Sequence, residues 1–211
     1  HDTLTEDLDL SYRAQLKGWK FVFLNDVVAP AELPVEMNAF KSQQHRWAKG
    51  SIQVGLKLLP TILKSDQPWK VKLESFIHLT SNFSYILMLI LSVMMPFALK
   101  IRIQHGLYEA LLLDFPCFLG ASVSVCAFYA LSQREVGGSW KRRILFIPAV
   151  LGIGIGLAVN NAKAVLEAVL GHDSPFVRTP KLALTDKTSN QQRGLRYHAR
   201  RNILPIIELG F

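Results

Sequence analysis

The chain has 211 residues, a formal net charge of +8 and a pI near 9.6, yet 50% of it is hydrophobic, only 19% is charged and its mean hydropathy is +0.22. The apolar content excludes a disordered chain, and a basic soluble module built to bind nucleic acid would carry more charge and a negative hydropathy. What is left is a membrane protein with basic aqueous segments.

Residues 1–60 read as soluble α/β material. Thr3 with Glu6 fits a capping box, and an acidic first turn suits the helix dipole. Leu8, Tyr12 and Leu16 recur at i, i+4 and i+8 as one helical stripe, which Gly18 ends. Residues 19–24, rich in aromatic and β-branched side chains, predict a short strand, and Pro30 and Pro34 make 25–35 a loop or edge strand. A helix is expected over 36–59, with Gly50 and Gly55 as candidate breaks. Its second half, with Ile52, Leu56, Lys57 and Leu59, fits a membrane surface.

Residues 61–75, with Lys64, Lys70 and Lys72, read as a polar interfacial connector. Residues 76–171 then hold the membrane material. Residues 76–99 are long enough to span a bilayer; 111–131 form a second candidate, interrupted at Asp114 and Pro116; 144–159 form a short third. Residues 160–170 read as an amphipathic interfacial helix with Val165, Leu166, Val169 and Leu170 on one side. His78 and His105 fit interfacial polar roles, and Asn160 and Asn161 fit the capping or orientation of that last helix. The basic loop 172–202 reads as cytosolic by the positive-inside rule, its arginines from 193 to 201 touching lipid phosphate. Residues 203–211 begin a further membrane helix that is cut short. That end and the initial His1 lead us to expect a piece of a longer chain.

Three short motifs carry chemistry. Thr5-Glu6-Asp7 places a carboxylate at a helix start, where it can accept a proton from a hydroxyl. Gln43, Arg46 and Trp47 fall at i, i+3 and i+4 and so share a helix face offering an amide, a guanidinium and an indole. That set suits a sugar, whose rim takes hydrogen bonds and whose C–H face stacks, and the guanidinium can grip a phosphate. Phe176, Thr179 and Lys181 lie on a short loop able to contact a diphosphate. Each motif alone also has an ordinary reading: a capped helix, an interfacial tryptophan, a basic juxtamembrane loop.

Their order, with membrane helices between the second and third, resembles the processive family-two glycosyltransferases: cellulose synthase catalytic subunits, mannan synthases and hyaluronan synthases. Arg178 departs from the cellulose synthase gating loop, which has Val there. The resemblance implies the C-terminal, α/β end of a GT-A-type nucleotide-sugar domain followed by an α-helical transmembrane region. It implies Asp7 as general base, supported by Glu6 and Thr5. Trp47 would stack on the acceptor, Gln43 and Arg46 would contact acceptor and nucleotide diphosphate, and Phe176, Thr179 and Lys181 would form a closing loop. A divalent metal, Mg or Mn, would be held by aspartates upstream of the Thr-Glu-Asp motif, with no metal ligands in this piece, which is therefore expected to be inactive alone. Implied partners are a nucleotide-sugar donor, a polysaccharide or glycolipid acceptor and the bilayer, with no nucleic acid. The expected setting is a multi-pass membrane protein with a cytosolic active site, its helices lining a polymer channel.

One tension accompanies this reading. The second and third motifs must face the same site, so an even number of crossings separates them, whereas three candidate spans are legible. One of these is interfacial or re-entrant, or the loop is misassigned. Alternative functions are a non-processive lipid glycosyltransferase of the same superfamily and, more distantly, a non-enzymatic polytopic protein.

Overall fold

The computed structural model describes residues 2–24, 26–29, 31–34, 36–106 and 109–176. Its chain divides into two compact units, residues 87–158 and the remainder. Among the described residues the elements are helical: α1 (Glu6–Leu16), α2 (Met37–Lys64), α3 (Trp69–Thr80), a 3₁₀ turn (Ser81–Phe83), α4 (Ser84–Gln104), α5 (Ala110–Val136), α6 (Trp140–Ile144), α7 (Ile147–Gly156) and α8 (Ala158–Val169).

The first unit is organised by α2. Leu8, Tyr12 and Leu16, the stripe expected on α1, pack onto buried Val54, Leu58 and Ile62 of α2 and Leu79 of α3. Each such aliphatic side chain withdrawn from water stabilises the fold by about 1.5–3 kcal/mol. Helix α1 ends as expected, with Gly18 in the left-handed region at φ +89°. Its start differs from the expected capping box: the N-cap is Thr5 without a side-chain cap bond, and Thr3 is buried instead. A second cluster joins α2 to α8 through Ile52, Val165 and Ala168, with Phe83 and Ile86 against it.

Several expectations are corrected. The predicted strand at 19–24 pairs with nothing among the described residues, and its apolar side chains are exposed. A lone strand leaves its ladder groups unpaired, so the segment has no strand assignment, and the α/β character expected of 1–60 is not present among the described residues. Helix α2 runs unbroken through Gly50, Gly55 and Pro60 to Lys64, which shortens the 61–75 connector to 65–68. The α2 residues assigned to a membrane surface divide: Ile52 is buried and Leu59 packs on the first cluster, whereas Leu56 and Lys57 are exposed. On α8 only Val165 of the four expected apolar residues is buried; Leu166 and Val169 remain exposed, as does Leu170 just beyond.

Among the described residues two stretches are long and apolar enough to cross a bilayer, Trp69–Gln104 and Asp114–Val136, with a third only if α6–α7 and α8 count as one broken span. In the second unit α5 is continuous through Asp114 and Pro116, and Arg102 forms an ion pair with Asp114, so that carboxylate does not interrupt the helix. No described residue of α4 or α5 is buried, and most of their large apolar side chains are exposed, as a stretch suited to lipid requires.

Candidate active site

The Thr-Glu-Asp segment is seated on one stripe of α2. Thr5 is buried directly over Gly50: a Cβ at that glycine would lie 2.5 Å from Thr5 Cγ2, 2.6 Å from its Oγ1 and 2.9 Å from its backbone nitrogen. One turn on, the backbone N–H of Leu4 donates to Gln53 Oε1 at 3.0 Å. One turn further, Lys57 Nζ lies 2.9 Å from Asp2 and 3.1 Å from buried Asp9. A buried carboxylate must be paired to be tolerated, and Asp9 is paired both by Lys57 and by Arg13 at 3.1 Å. The Lys57 hydrogen bond holds the Asp2 carboxyl below its ordinary range, and the Asp2 hydrogen bond raises Lys57 in turn. Gly50, Gln53 and Lys57 follow i, i+3, i+7, so a helical stripe read in the sequence as a break and a membrane face is the docking strip for the first motif.

This docking brings Asp7 beside Trp47. Both line a cleft of about 330 Å³ together with Gln44, Ser51, His78 and Asn82. Asp7 is exposed, with Oδ1 accepting the Leu8 N–H at 2.8 Å, and the Trp47 indole is half exposed at 46%. His78, expected as a generic interfacial residue, instead stands at this cleft with Nδ1 2.9 Å from the Tyr12 hydroxyl. Burial pushes the Tyr12 phenol up, so its hydroxyl keeps its proton at neutral pH.

The other motif residues separate. Thr5 borders the cleft, whereas Glu6 lines a second pocket of about 420 Å³ with Asp2, Gln53, Asp173, Ser174 and Phe176. Gln43 is half-buried and does not line the cleft; its neighbour Gln44 does. Arg46 turns away from Trp47 and lies beneath the Phe176 ring, its Cζ 4.9 Å from the ring centroid. Its Nε is buried with no hydrogen-bond partner among the described residues. The expected single face is thus divided by the 100° step per residue: Trp47 lines the cleft, Arg46 lies against Phe176, and Gln43 lines neither pocket. Thr179 and Lys181 lie outside the described residues.

A polar network that no motif announced ties α2 to α8. His45 Nδ1 lies 3.2 Å from the Asn160 carbonyl and its Nε2 3.1 Å from Glu167, while Asn160 Nδ2 donates to the Lys41 carbonyl at 3.0 Å. Lys49, its side chain wholly buried, bonds Glu167 at 3.2 Å and also the Ser174 hydroxyl. Lys163 adds a looser contact to Glu167 at 3.7 Å. Asn160 therefore orients α8, as expected, but by stapling it to α2. Desolvation acts to raise the Glu167 carboxyl, yet the His45 and Lys49 bonds and charges outweigh it and hold the group below its ordinary range. A carboxyl that titrates lower folded than unfolded contributes stability fully present above its unfolded value and lost as pH falls through its folded one. The melting temperature of the full-length protein in detergent is therefore expected to decline below about pH 4.5, and Glu167→Gln should flatten part of that acid limb; an unchanged limb would contradict the pairing.

The family model described as "Glycosyl transferase family group 2" matches residues 1–133. The chain is 46% identical over 81 residues to glucomannan 4-beta-mannosyltransferase 1 of Oryza sativa subsp. japonica, covering 38% of this chain and 15% of that protein. It is 47% identical over 73 residues to probable glucomannan 4-beta-mannosyltransferase 10 of Arabidopsis thaliana, covering 33% and 13%. The match thus spans less than a sixth of either relative's length. No solved structure matches the chain. With the family model extending over residues 1–133 of 211, and so from the Thr-Glu-Asp helix through the Trp47 helix and into the two candidate membrane spans, the chain belongs to glycosyl transferase family group 2.

Proposed function

We propose that this chain supplies the acceptor side and membrane portion of an inverting glycosyltransferase that moves a sugar from a nucleotide sugar onto a growing β-linked polysaccharide and exports it through its own helices. The observation that carries the reading is the shared cleft: a carboxylate and a half-exposed indole line one space bordered by polar side chains. In such a transfer the acceptor hydroxyl gives its proton to Asp7 as its oxygen bonds the anomeric carbon. The bond from that carbon to the nucleotide diphosphate breaks on the opposite face, inverting the centre. Trp47 stacks on the acceptor sugar and holds its hydroxyl toward Asp7. Arg46 faces the departing diphosphate, with Thr5 and Glu6 supporting the base from either side. Gln43, Phe176, Thr179 and Lys181 complete the nucleotide side.

The family implies a divalent metal. Among the described residues no group of three or more His, Cys, Asp or Glu side chains is arranged to hold one. The relatives' names make mannosyl transfer into a glucomannan-like polymer the first activity to examine.

The crossing count supports a common side for both motifs. Helix α8 packs on α2, so the chain leaving α2 must return to the same side of the bilayer. Two stretches qualify as spans on their own, and α7, with 10 residues, is about 15 Å long, half a bilayer core. We accordingly read α6–α7 as re-entrant or interfacial, and the site as cytosolic in a multi-pass protein. The boundaries 1–60, 61–75, 76–171, 172–202 and 203–211 serve as working domains, with the second narrowed as above.

The test uses full-length protein in native membranes, supplied with labelled nucleoside diphosphate mannose or glucose. The wild type is expected to make long polymer, whereas short lipid-linked product would favour the non-processive alternative. Trp47→Ala should reduce polymer formation about tenfold or more while sparing donor hydrolysis. Equal loss of both activities would argue against stacking.

A further inference from the structure

We propose that Lys49, Glu167 and Ser174, braced by His45, position the nucleotide side of the site: they seat the 173–176 turn so that Phe176 covers Arg46 and fixes its guanidinium. The inference deepens the proposed function and rests on it. An ammonium as fully buried as that of Lys49 costs several kcal/mol unless it is paired and hydrogen-bonded. Its partners are Glu167 of α8 and the hydroxyl of Ser174, beyond the end of that helix.

The α2–α8 contact does not need the Ser174 bond. It is already held by Ile52, Val165 and Ala168, by the Asn160–Lys41 bond and by His45 against both Asn160 and Glu167. What the Lys49–Ser174 bond adds is the place of the turn. Two residues on, Phe176 lies over Arg46 with its ring centroid 4.9 Å from Cζ. Arg46 is then held by an aromatic face that consumes none of its N–H donors, and its buried Nε has no acceptor among the described residues. A guanidinium immobilised with donors unspent is arranged for a polyanionic ligand, a nucleoside diphosphate, for which it makes charge-assisted bonds. Lys49, Glu167 and Ser174 act through Phe176 and Arg46, so their removal should weaken donor capture more than turnover.

Ser174→Ala is the cleanest variant, because it deletes the hydroxyl at the turn and leaves the buried Lys49–Glu167 pair intact. In full-length protein assayed with a nucleoside diphosphate mannose, it is expected to raise the donor KM about fivefold to tenfold with kcat within about twofold. The melting temperature should fall by only a few degrees, because Glu167 still pairs the Lys49 ammonium, and Ser174→Thr, which keeps the hydroxyl, should restore the wild-type KM. Phe176→Ala should raise KM by a similar factor, and Ser174→Ala combined with Phe176→Ala should be no worse than Phe176→Ala alone. Lys49→Met should follow the same pattern. If that variant does not accumulate, the serine cycle decides by itself. An unchanged KM in Ser174→Ala, or effects that multiply in the double variant, overturns the positioning role. A wild type that transfers sugar, with Asp7→Asn inactive and a multiplicative cycle, sinks this inference alone; a wild type that transfers none sinks the proposed function with it.

Discussion

Asp7→Asn in the full-length protein is expected to remove about 10²–10⁴-fold of sugar transfer while leaving the fold intact. The two halves of that expectation have separate physical sources. Asp7 is exposed in the first turn of α1, where its charge interacts with the helix dipole and Oδ1 accepts the Leu8 N–H at 2.8 Å. Asparagine keeps an oxygen for that bond, and the lost dipole interaction is worth only about 0.3–1 kcal/mol at an exposed site. Removing the carboxylate, however, leaves the cleft shared with Trp47 without an anionic proton acceptor on α1. His78 stands at the same cleft, but it is engaged with Tyr12. Transfer of label from nucleotide sugar to polymer, measured at matched protein levels, checks the claim. Polymer synthesis within a few-fold of wild type by Asp7→Asn refutes Asp7 as the base. Glu6→Gln should cost less, because Glu6 lines the other pocket.

Gly50→Ala should be the most damaging single substitution that touches no reacting group. Glycine to alanine inside a helix ordinarily stabilises, by about 0.4–1 kcal/mol. Here the sign reverses. The added methyl would meet Thr5 Cγ2 at 2.5 Å and, more decisively, the Thr5 backbone nitrogen at 2.9 Å, a contact that no rotamer change of Thr5 relieves. Either α2 distorts or the start of α1 lifts away, at a cost of about 1–3 kcal/mol for overpacking. The functional loss should exceed the stability loss, since a shift of about 1 Å in the placement of Asp7 against Trp47 can cost about 100-fold in rate. Gly55→Ala is the internal comparison: its nearest neighbours are the Leu79 carbonyl oxygen at 3.3 Å and Cβ at 3.4 Å, so a few tenths of an ångström suffice and the effect should be small. Adding Thr5→Ala to Gly50→Ala should restore activity only in part, because the backbone contact persists. Melting temperature and transfer rate of the three variants provide the check; a Gly50→Ala protein as active as wild type would mean that the Thr5–α2 contact does not position the site.

Local patterns were read correctly where the cause is local. The α1 stripe of Leu8, Tyr12 and Leu16 follows from helical periodicity, and the helix stop at Gly18 follows from its φ of +89°. The two long spans are compositional, since a bilayer selects for length and apolarity whatever lies around them. The roles of Gly50, Lys57, His45, Lys49 and Glu167 were not legible. In sequence Gly50 is a weak helix position and Lys57 a basic residue on an apolar face. In the fold each is defined by a partner 45 to 55 residues away in the case of Thr5 and Asp2, and 115 to 122 away from His45 in the case of Asn160 and Glu167. The strand expected at 19–24 failed for the same reason inverted: its propensity is present, but nothing among the described residues offers it a ladder.

By itself, then, the sequence determined the chain's solvents and its chemistry: which stretches suit lipid, and that a carboxylate, a guanidinium and an indole are available in an order resembling a glycosyltransferase. Only the tertiary structure decided how these groups are shared out. Asp7 and Trp47 meet in one cleft because a missing side chain at Gly50 lets Thr5 rest on α2. Arg46, one residue before Trp47, is turned by the 100° helical step toward Phe176 instead. Such proximities depend on pairs far apart in the chain, and their energy is paid in close packing and buried charge pairing that no local window contains.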